Sequence, residues 1–354
     1  MELGDTYRGK TVLITGDTGF KGSWLAIWLT ELGAKVIGFA LPPAGPRDNF
    51  VICEVARSIT HVDGDVRDYD ALTTVLGEHQ PDIVFHLAAQ ALVLDSYKDP
   101  RGTFATNVMG VVNLLEAVRY ARSVRAVVVV TSDKCYENQG LDRGYRESDP
   151  LGGRDPYSAS KGAAEIAASS MRRSFFTEPG DAAIATARAG NVIGGGDWAA
   201  NRIVPDCIRA LASLEPIVVR NPSAIRPWQH VMDALNGYLV LGTKLLADGH
   251  RYAEAWNFGP APGEVVPVSG LVEQMIAAWG SGTYRVEADA GAPAEARILH
   301  LDIAKAREQL AWSPKLSLAQ AIAATVQGYR AERDDAAAIY AHRAMQISAF
   351  RELP

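Results

Sequence analysis

Cysteine is scarce in this chain. Cys53, Cys135 and Cys207 are too few for a disulfide framework and lack metal-ligand spacing, so they read as buried, reduced thiols. Long apolar runs are missing too: none approaches the ~18 residues that span a bilayer, and no membrane partner is expected. The stretch Met1–Lys10 is polar and runs directly into a strand, which is not the pattern of a signal peptide. Nor is there a basic excess. With 35 Lys and Arg against 41 Asp and Glu, the net charge of −6 argues against nucleic-acid partners. A few local arginines could still hold an anionic small molecule. His86 and His230 have no partners at useful spacing, so no metal is expected. A cytoplasmic location follows as the expectation.

What is present is an ordinary globular balance, 48% hydrophobic and 21% charged over 354 residues, enough for one large domain and a smaller one. The β-branched run Thr11–Thr15 is followed at once by glycines. From Lys21 to Leu32 the residues Trp24, Leu25, Trp28, Leu29 and Leu32 recur at helical spacing. Gly33 supplies a stop, and Lys35–Ala40 reads as a second strand. Strands follow at Ile59–Val62, Ile83–Leu87, Ala126–Val130 and Ala182–Ala187. Helices fall between them: Tyr69–Leu76, one opened by Asp99-Pro100 with the stripe Phe104, Val108, Val111, Leu115 and Val118, and Tyr157–Phe175, opened by Asp155-Pro156. The Ala-rich tail Ala319–Ala344 reads as helix. Such alternation predicts a parallel, doubly wound sheet.

The turn Thr15-Gly16-Asp17-Thr18-Gly19-Phe20-Lys21-Gly22 places glycines three residues apart between strand and helix. It lets backbone approach a pyrophosphate, and the helix N-terminus offers unpaired N–H groups to the negative charge. This predicts an α/β protein of Rossmann type. Residues 1–188 are read as an NAD-binding domain, to which some later segments return. Residues 189–354 are read as a mainly substrate-binding, smaller mixed α/β part. The second strand ends in Gly38-Phe39-Ala40-Leu41-Pro42, without the carboxylate that often binds a ribose 2′-hydroxyl. Asp65 could reach the adenine end, or merely cap the following helix.

Tyr157 and Lys161 stand four residues apart at a helix start, on one face. A phenol of pKa about 10 must be lowered by about three pH units to serve as a base near neutrality, roughly 4 kcal/mol. A neighbouring ammonium and a cationic nicotinamide are suited to that task.

With the glycine turn and the segment Leu87-Ala88-Ala89-Gln90, this pair resembles the extended short-chain dehydrogenase/reductase family. The stretches TGDTGFKGSWL, TSDKCYEN, GGRDPYSASKG, ARAGNVIGGGDW and IRPWQHV are more narrowly similar to the CDP-glucose 4,6-dehydratases within it. That resemblance covers nearly the whole chain. It implies tightly held NAD, a homodimer built around two helices per subunit, a nucleotide-sugar substrate and a role in making 3,6-dideoxyhexoses. The implied NAD site comprises Gly16, Thr18, Gly19, Phe20, Lys21 and Gly22, then Asp65, Val66, Leu87, Ala88, Ala89 and Thr106, with Tyr157 and Lys161 at the nicotinamide end.

Related sugar-nucleotide 4,6-dehydratases carry hydroxyl, Asp and Glu in succession where this chain has Ser132, Asp133 and Lys134. The implied reaction oxidises C4, loses water from C5 and C6, and returns the hydride to C6. Tyr157 is read as the base at the 4-hydroxyl, Ser132 as polarising the 4-oxygen, and Asp133 as the acid at C6. Lys134 departs from Glu. It serves as a base only with a lowered pKa, or else steadies the enolate. The resemblance places Asn191, Asn201, Arg202, Arg226 and Arg297 around the nucleotide diphosphate; Trp198 and Trp228 read as packing residues. A 4-epimerase on the same fold, and a non-catalytic NAD-binding regulator, are the alternatives.

Overall fold

The computed structural model describes residues 3–287 and 299–354. Among them, seven strands form the main sheet: β1 (Thr11–Thr15), β2 (Lys35–Ala40), β3 (Thr60–Asp63), β4 (Ile83–His86), β5 (Ala126–Val130), β6 (Ala183–Ala189) and β7 (Ala255–Phe258). Their order is β7-β6-β5-β4-β1-β2-β3, parallel throughout. The chain winds outward from β1 in one direction, then returns to β4 and winds in the other. The carboxyl ends of β1 and β4 therefore flank the switch point, where a crevice opens. The doubly wound sheet is as the sequence predicts.

Both faces are covered, which explains the unbroken apolar run of β5. Val128 packs in one core cluster, while Val127 and Val129 pack in the other. The helix Phe20–Glu31 buries Trp24, Leu25, Trp28 and Leu29, and also Ala26 and Ile27 on its second side. The cover there comes from the chain's tail. That tail is two helices rather than one, Leu318–Asp334 and Ile339–Glu352. Phe350 of the second meets Trp28 edge-on at 5.6 Å.

The helical stretch after Asp99 departs from the predicted stripe. Asp99 does cap it, accepting from the Gly102 N–H at 2.8 Å. A π-helical turn over Ala105–Met109 then inserts an extra residue before the helix Gly110–Tyr120. The apolar phase shifts, leaving Phe104 39% exposed while Thr103 and Asn107 turn inward.

Three small two-stranded pairs make up the mixed part: Val192–Ile193 with Gln229–His230, Ile225–Arg226 with Val266–Pro267, and Ile217–Val219 with Tyr284–Val286. They share a third apolar cluster with the helices Ile203–Ala212, Val268–Trp279 and Leu318–Asp334. The helix Val231–Asp248 and β7 go back to the large sheet. No helix among the described residues is long and apolar enough to cross a membrane.

Candidate active site

A cleft of about 1300 Å³ opens at the carboxyl edge of β1, β4, β5 and β6. Every candidate residue lines it except Arg297, which lies outside the described residues.

The glycine turn forms one wall. Gly16 has φ +79°, and a Cβ there would sit 2.7 Å from the Ala88 nitrogen. A Cβ on Gly22 would sit 2.0 Å from the Gly16 carbonyl oxygen. Only glycine allows the turn to close against both. The helix Phe20–Glu31 begins at Gly19 without a side-chain cap, unlike those that start after Asp68, Asp99 and Asp155. Its first-turn N–H groups thus have no side-chain acceptor, a cradle that fits a dinucleotide's pyrophosphate. Asp65 lies on the adjoining wall, but it does not cap the next helix; Asp68 does. The Asp65 carboxylate is instead clasped by Arg67, with Nε to Oδ2 at 2.8 Å, which holds its pKa below the ordinary range.

Asn107, placed by the π turn, joins two sides of the site. Its amide donates to Ser160 Oγ at 2.8 Å and to the Gln90 carbonyl at 3.0 Å, and its oxygen accepts from the Gln90 N–H at 2.8 Å. The Leu87–Gln90 loop is thereby stapled to the helix Pro156–Phe175.

That helix carries Tyr157 and Lys161. Burial pushes the phenol up to about 12, against the downward pull of the nearby Ser132 hydroxyl. Burial also lowers the Lys161 amine to about 8, with Glu165 pulling the other way. Glu165, absent from the sequence reading, stands one further turn along the same face. Its carboxylate takes the hydroxyls of Thr131 and Thr186 and a guanidinium N–H of Arg188, the last at 2.8 Å.

Ser132 and Asp133 follow β5. Ser132 Oγ donates to Asp133 Oδ1 at 2.9 Å and accepts from the Lys134 N–H at 3.2 Å. Asp133 is 2% exposed, and its Oδ2 has no hydrogen-bond partner among the described residues. Burial raises its pKa, offset in part by Lys134. Lys21, assigned to the cofactor by sequence alone, turns its amine toward this corner and donates to the Tyr238 hydroxyl at 3.3 Å. Burial, with Arg202 and Lys161 nearby, lowers it to about 7. The position of Lys21 in the glycine turn hid this second direction.

The far end of the cleft is polar. Arg202 pairs with Asp197 at 2.9 Å, Arg220 donates to Asn201 at 3.2 Å, and Asn191 and Arg226 line the same end. Arg220 went unnoticed in the sequence, where a lone arginine looks like surface. Trp228 is buried, and Trp198 packs edge-on against Tyr329 at 5.0 Å with its indole N–H on Glu332. Gly195, within the ARAGNVIGGGDW stretch, faces away from substrate space: a Cβ there would meet the Arg343 guanidinium at 2.6 Å. Among the described residues no group of three or more His, Cys, Asp or Glu could hold a metal ion.

The sequence profile of the GDP-mannose 4,6 dehydratase family matches residues 13–325. The CDP-glucose 4,6-dehydratase of Salmonella typhimurium is 45% identical over 329 residues, covering 92% of each chain. A UDP-glucose 4-epimerase of Mycolicibacterium smegmatis is 30% identical, over 90% of this chain and 98% of that one. The dTDP-glucose 4,6-dehydratase of Streptomyces venezuelae, solved with NAD bound, superposes with a TM-score of 0.77 at 26% identity, over 91% and 98% of the two chains.

Proposed function

This chain belongs to the family of GDP-mannose 4,6 dehydratase, and from that premise we propose that it is an NAD-dependent lyase converting CDP-D-glucose to CDP-4-dehydro-6-deoxy-D-glucose. The observation that carries the reading is the meeting of Tyr157, Ser132 and Asp133 in one buried corner. Inverting C4 uses a base and a polarising hydroxyl; a buried acid is of use when a hydroxyl must leave from C6.

Bound NAD would supply the hydride acceptor for C4 and the hydride donor for C6. The uncapped N–H groups after Gly19 would hold its pyrophosphate. Asp65 and Val66 would serve its adenosine, Leu87, Ala88, Ala89 and Thr106 the stretch between, and Lys161 the nicotinamide ribose. Tyr157 takes the proton of the 4-hydroxyl. Bringing a phenol at about 12 toward neutrality falls to the Lys161 ammonium and the positive nicotinamide. Ser132 polarises the 4-oxygen. Asp133, whose carboxyl burial raises, serves as the acid that gives a proton to the departing 6-hydroxyl through the unpartnered Oδ2. Lys134 offers positive charge to the C5 enolate. Asn191, Asn201, Arg202 and Arg226 grip the diphosphate, with Arg297 joining them.

The enzyme works in the cytoplasm as a homodimer. Phe104 and Met109 on one helical stretch, and Ile166 and Phe175 on the helix of Tyr157, are all exposed. They supply an apolar face for a second copy. Incubation of the NAD-loaded protein with CDP-, dTDP-, UDP- and GDP-hexoses, followed by mass measurement, tests the reaction. Loss of one water from CDP-glucose is the expected result; a product of unchanged mass overturns it in favour of epimerisation.

A further inference from the structure

The glycine turn holds a residue of the wrong charge for its proposed task. Asp17 stands between Gly16 and Thr18, in the turn suited to a doubly negative pyrophosphate, and it is wholly buried. A buried carboxylate there repels the group that the turn is shaped to hold. Its side chain runs from the end of β1 across β2 to β3. Gly38 of β2 leaves room for it: a Cβ at that position would collide with the Asp17 carboxylate. Beyond Gly38 lies His61, its register partner on β3. His61 Nδ1 is 2.7 Å from Asp17 Oδ2, and Nε2 is 3.3 Å from Asp63 Oδ1.

We propose that His61 is a positioning residue for the cofactor: its imidazolium cancels the Asp17 charge and so lets the turn accept a pyrophosphate. The inference rests on the proposed seat of NAD at this turn, not on the sugar chemistry. Geometry assigns the charge. An ionised carboxylate can only accept hydrogen bonds, so a ring held between two of them donates from both nitrogens and is the cation. Asp17 depends on it, because Oδ1 has no hydrogen-bond partner among the described residues. The hydrogen bond to Asp17 raises the His61 pKa above the usual histidine value, against the pull of burial and with help from Asp63. Nothing else facing the ring carries charge. Phe50 of the helix Asn49–Ile52 lies 5.1 Å away, and the turn Val55–Arg57 has only Arg57, paired with Glu54 at the surface. The imidazole is 15% exposed, so solvent can exchange its proton. As pH rises through the His61 pKa that proton leaves, the Asp17 charge stands uncompensated, and NAD affinity falls.

The test is the NAD affinity of the full chain, measured by calorimetry from about pH 6 to 9 in wild type, Asp17→Asn, His61→Asn and the double variant. Lys21 and Lys161 titrate in the same range but remain in all four proteins, so the differences between proteins carry the answer. Across the range, wild type should lose at least about tenfold more affinity than Asp17→Asn, which has no charge to cancel. His61→Asn should bind at least about tenfold more weakly than wild type at the acid end, with the shallow profile of Asp17→Asn. The double variant should regain the lost affinity. An imidazole that served packing alone would leave the double variant as weak as His61→Asn. That outcome, or a wild-type profile in either single variant, overturns the compensation and leaves the NAD seat standing. Failure of the wild type to bind NAD at any pH defeats the seat itself, and the role of His61 with it.

Discussion

Arg188 Nη2 lies 2.8 Å from Glu165 Oε2, and the two side chains are 4% and 3% exposed. Burial alone would raise the Glu165 carboxyl, but Arg188 and the two threonine hydroxyls outweigh it and hold its pKa below the ordinary range. The other guanidinium nitrogen, Nη1, donates to the Tyr136 hydroxyl at 2.7 Å, and that hydroxyl donates to Asn257 Oδ1 at 2.7 Å. The network thereby ties the end of β5 to β6 and β7 beneath the catalytic helix. Glu165→Ala would strand the buried guanidinium. We expect a loss of about 3–5 kcal/mol, read as a lower urea midpoint, with Glu165→Gln losing less. Unchanged stability in Glu165→Ala would show that water enters to replace the carboxylate.

The two catalytic assignments separate by where the reaction stops. Tyr157→Phe should lower turnover by about 10²–10⁴-fold while NAD still binds, as followed by tryptophan fluorescence. Asp133→Asn should let C4 oxidation proceed and slow water loss by a similar factor. Mass measurement would then find a 4-ketohexose that keeps its 6-hydroxyl. Dehydration at the wild-type rate in that variant would remove Asp133 from the mechanism.

Asp233 imposes a pH dependence on stability. It sits in the first turn of the helix Val231–Asp248, accepts from the Lys315 N–H at 2.6 Å, and is 1% exposed. Burial raises it from 3.8 to about 7. The folded state then holds this proton where the unfolded chain has released it, so the contribution is whole below about 4 and is lost as pH rises through about 7. The decline is worth up to roughly 4 kcal/mol. Asp233→Asn should flatten this part of the curve in urea titrations between pH 4 and 8; the same slope in wild type and variant would rule the group out.

Gly22→Ala probes the cradle. The new methyl would press on backbone at Gly16 and Asp17, where no side chain can yield. NAD affinity measured by calorimetry should fall at least about tenfold, with overpacking costing about 1–3 kcal/mol of stability. Retained affinity would mean that the pyrophosphate does not rest on this turn.

Most of the parallel sheet was legible because strands such as β1, β4 and β5 are short apolar runs bounded by turns, and the helix of Trp24 because its spacing holds for three turns; β7, where Asn257 interrupts a four-residue strand, was not read from the sequence. Tyr157 and Lys161 were legible for a similar reason, being one turn apart directly after an Asp-Pro start. Glu165 was not: a lone carboxylate on a helix looks solvated until the arginine of β6 is known to lie under it. The π turn at Ala105–Met109 leaves no mark in periodicity except a phase slip, and Phe104 fell on the wrong side of that slip. Asp65 and Arg67 are two residues apart, yet only the backbone path after β3 decides that they clasp each other. Lys21 belongs to a motif defined by backbone, which says nothing of where its amine points.

The contact of Trp28 with Phe350 joins two helices that are far apart in sequence. One flank of the helix Phe20–Glu31 is therefore dry only once Ile339–Glu352 has docked on it, and a substitution that loosens Phe350 would wet the indole of Trp28 before it reached the sheet.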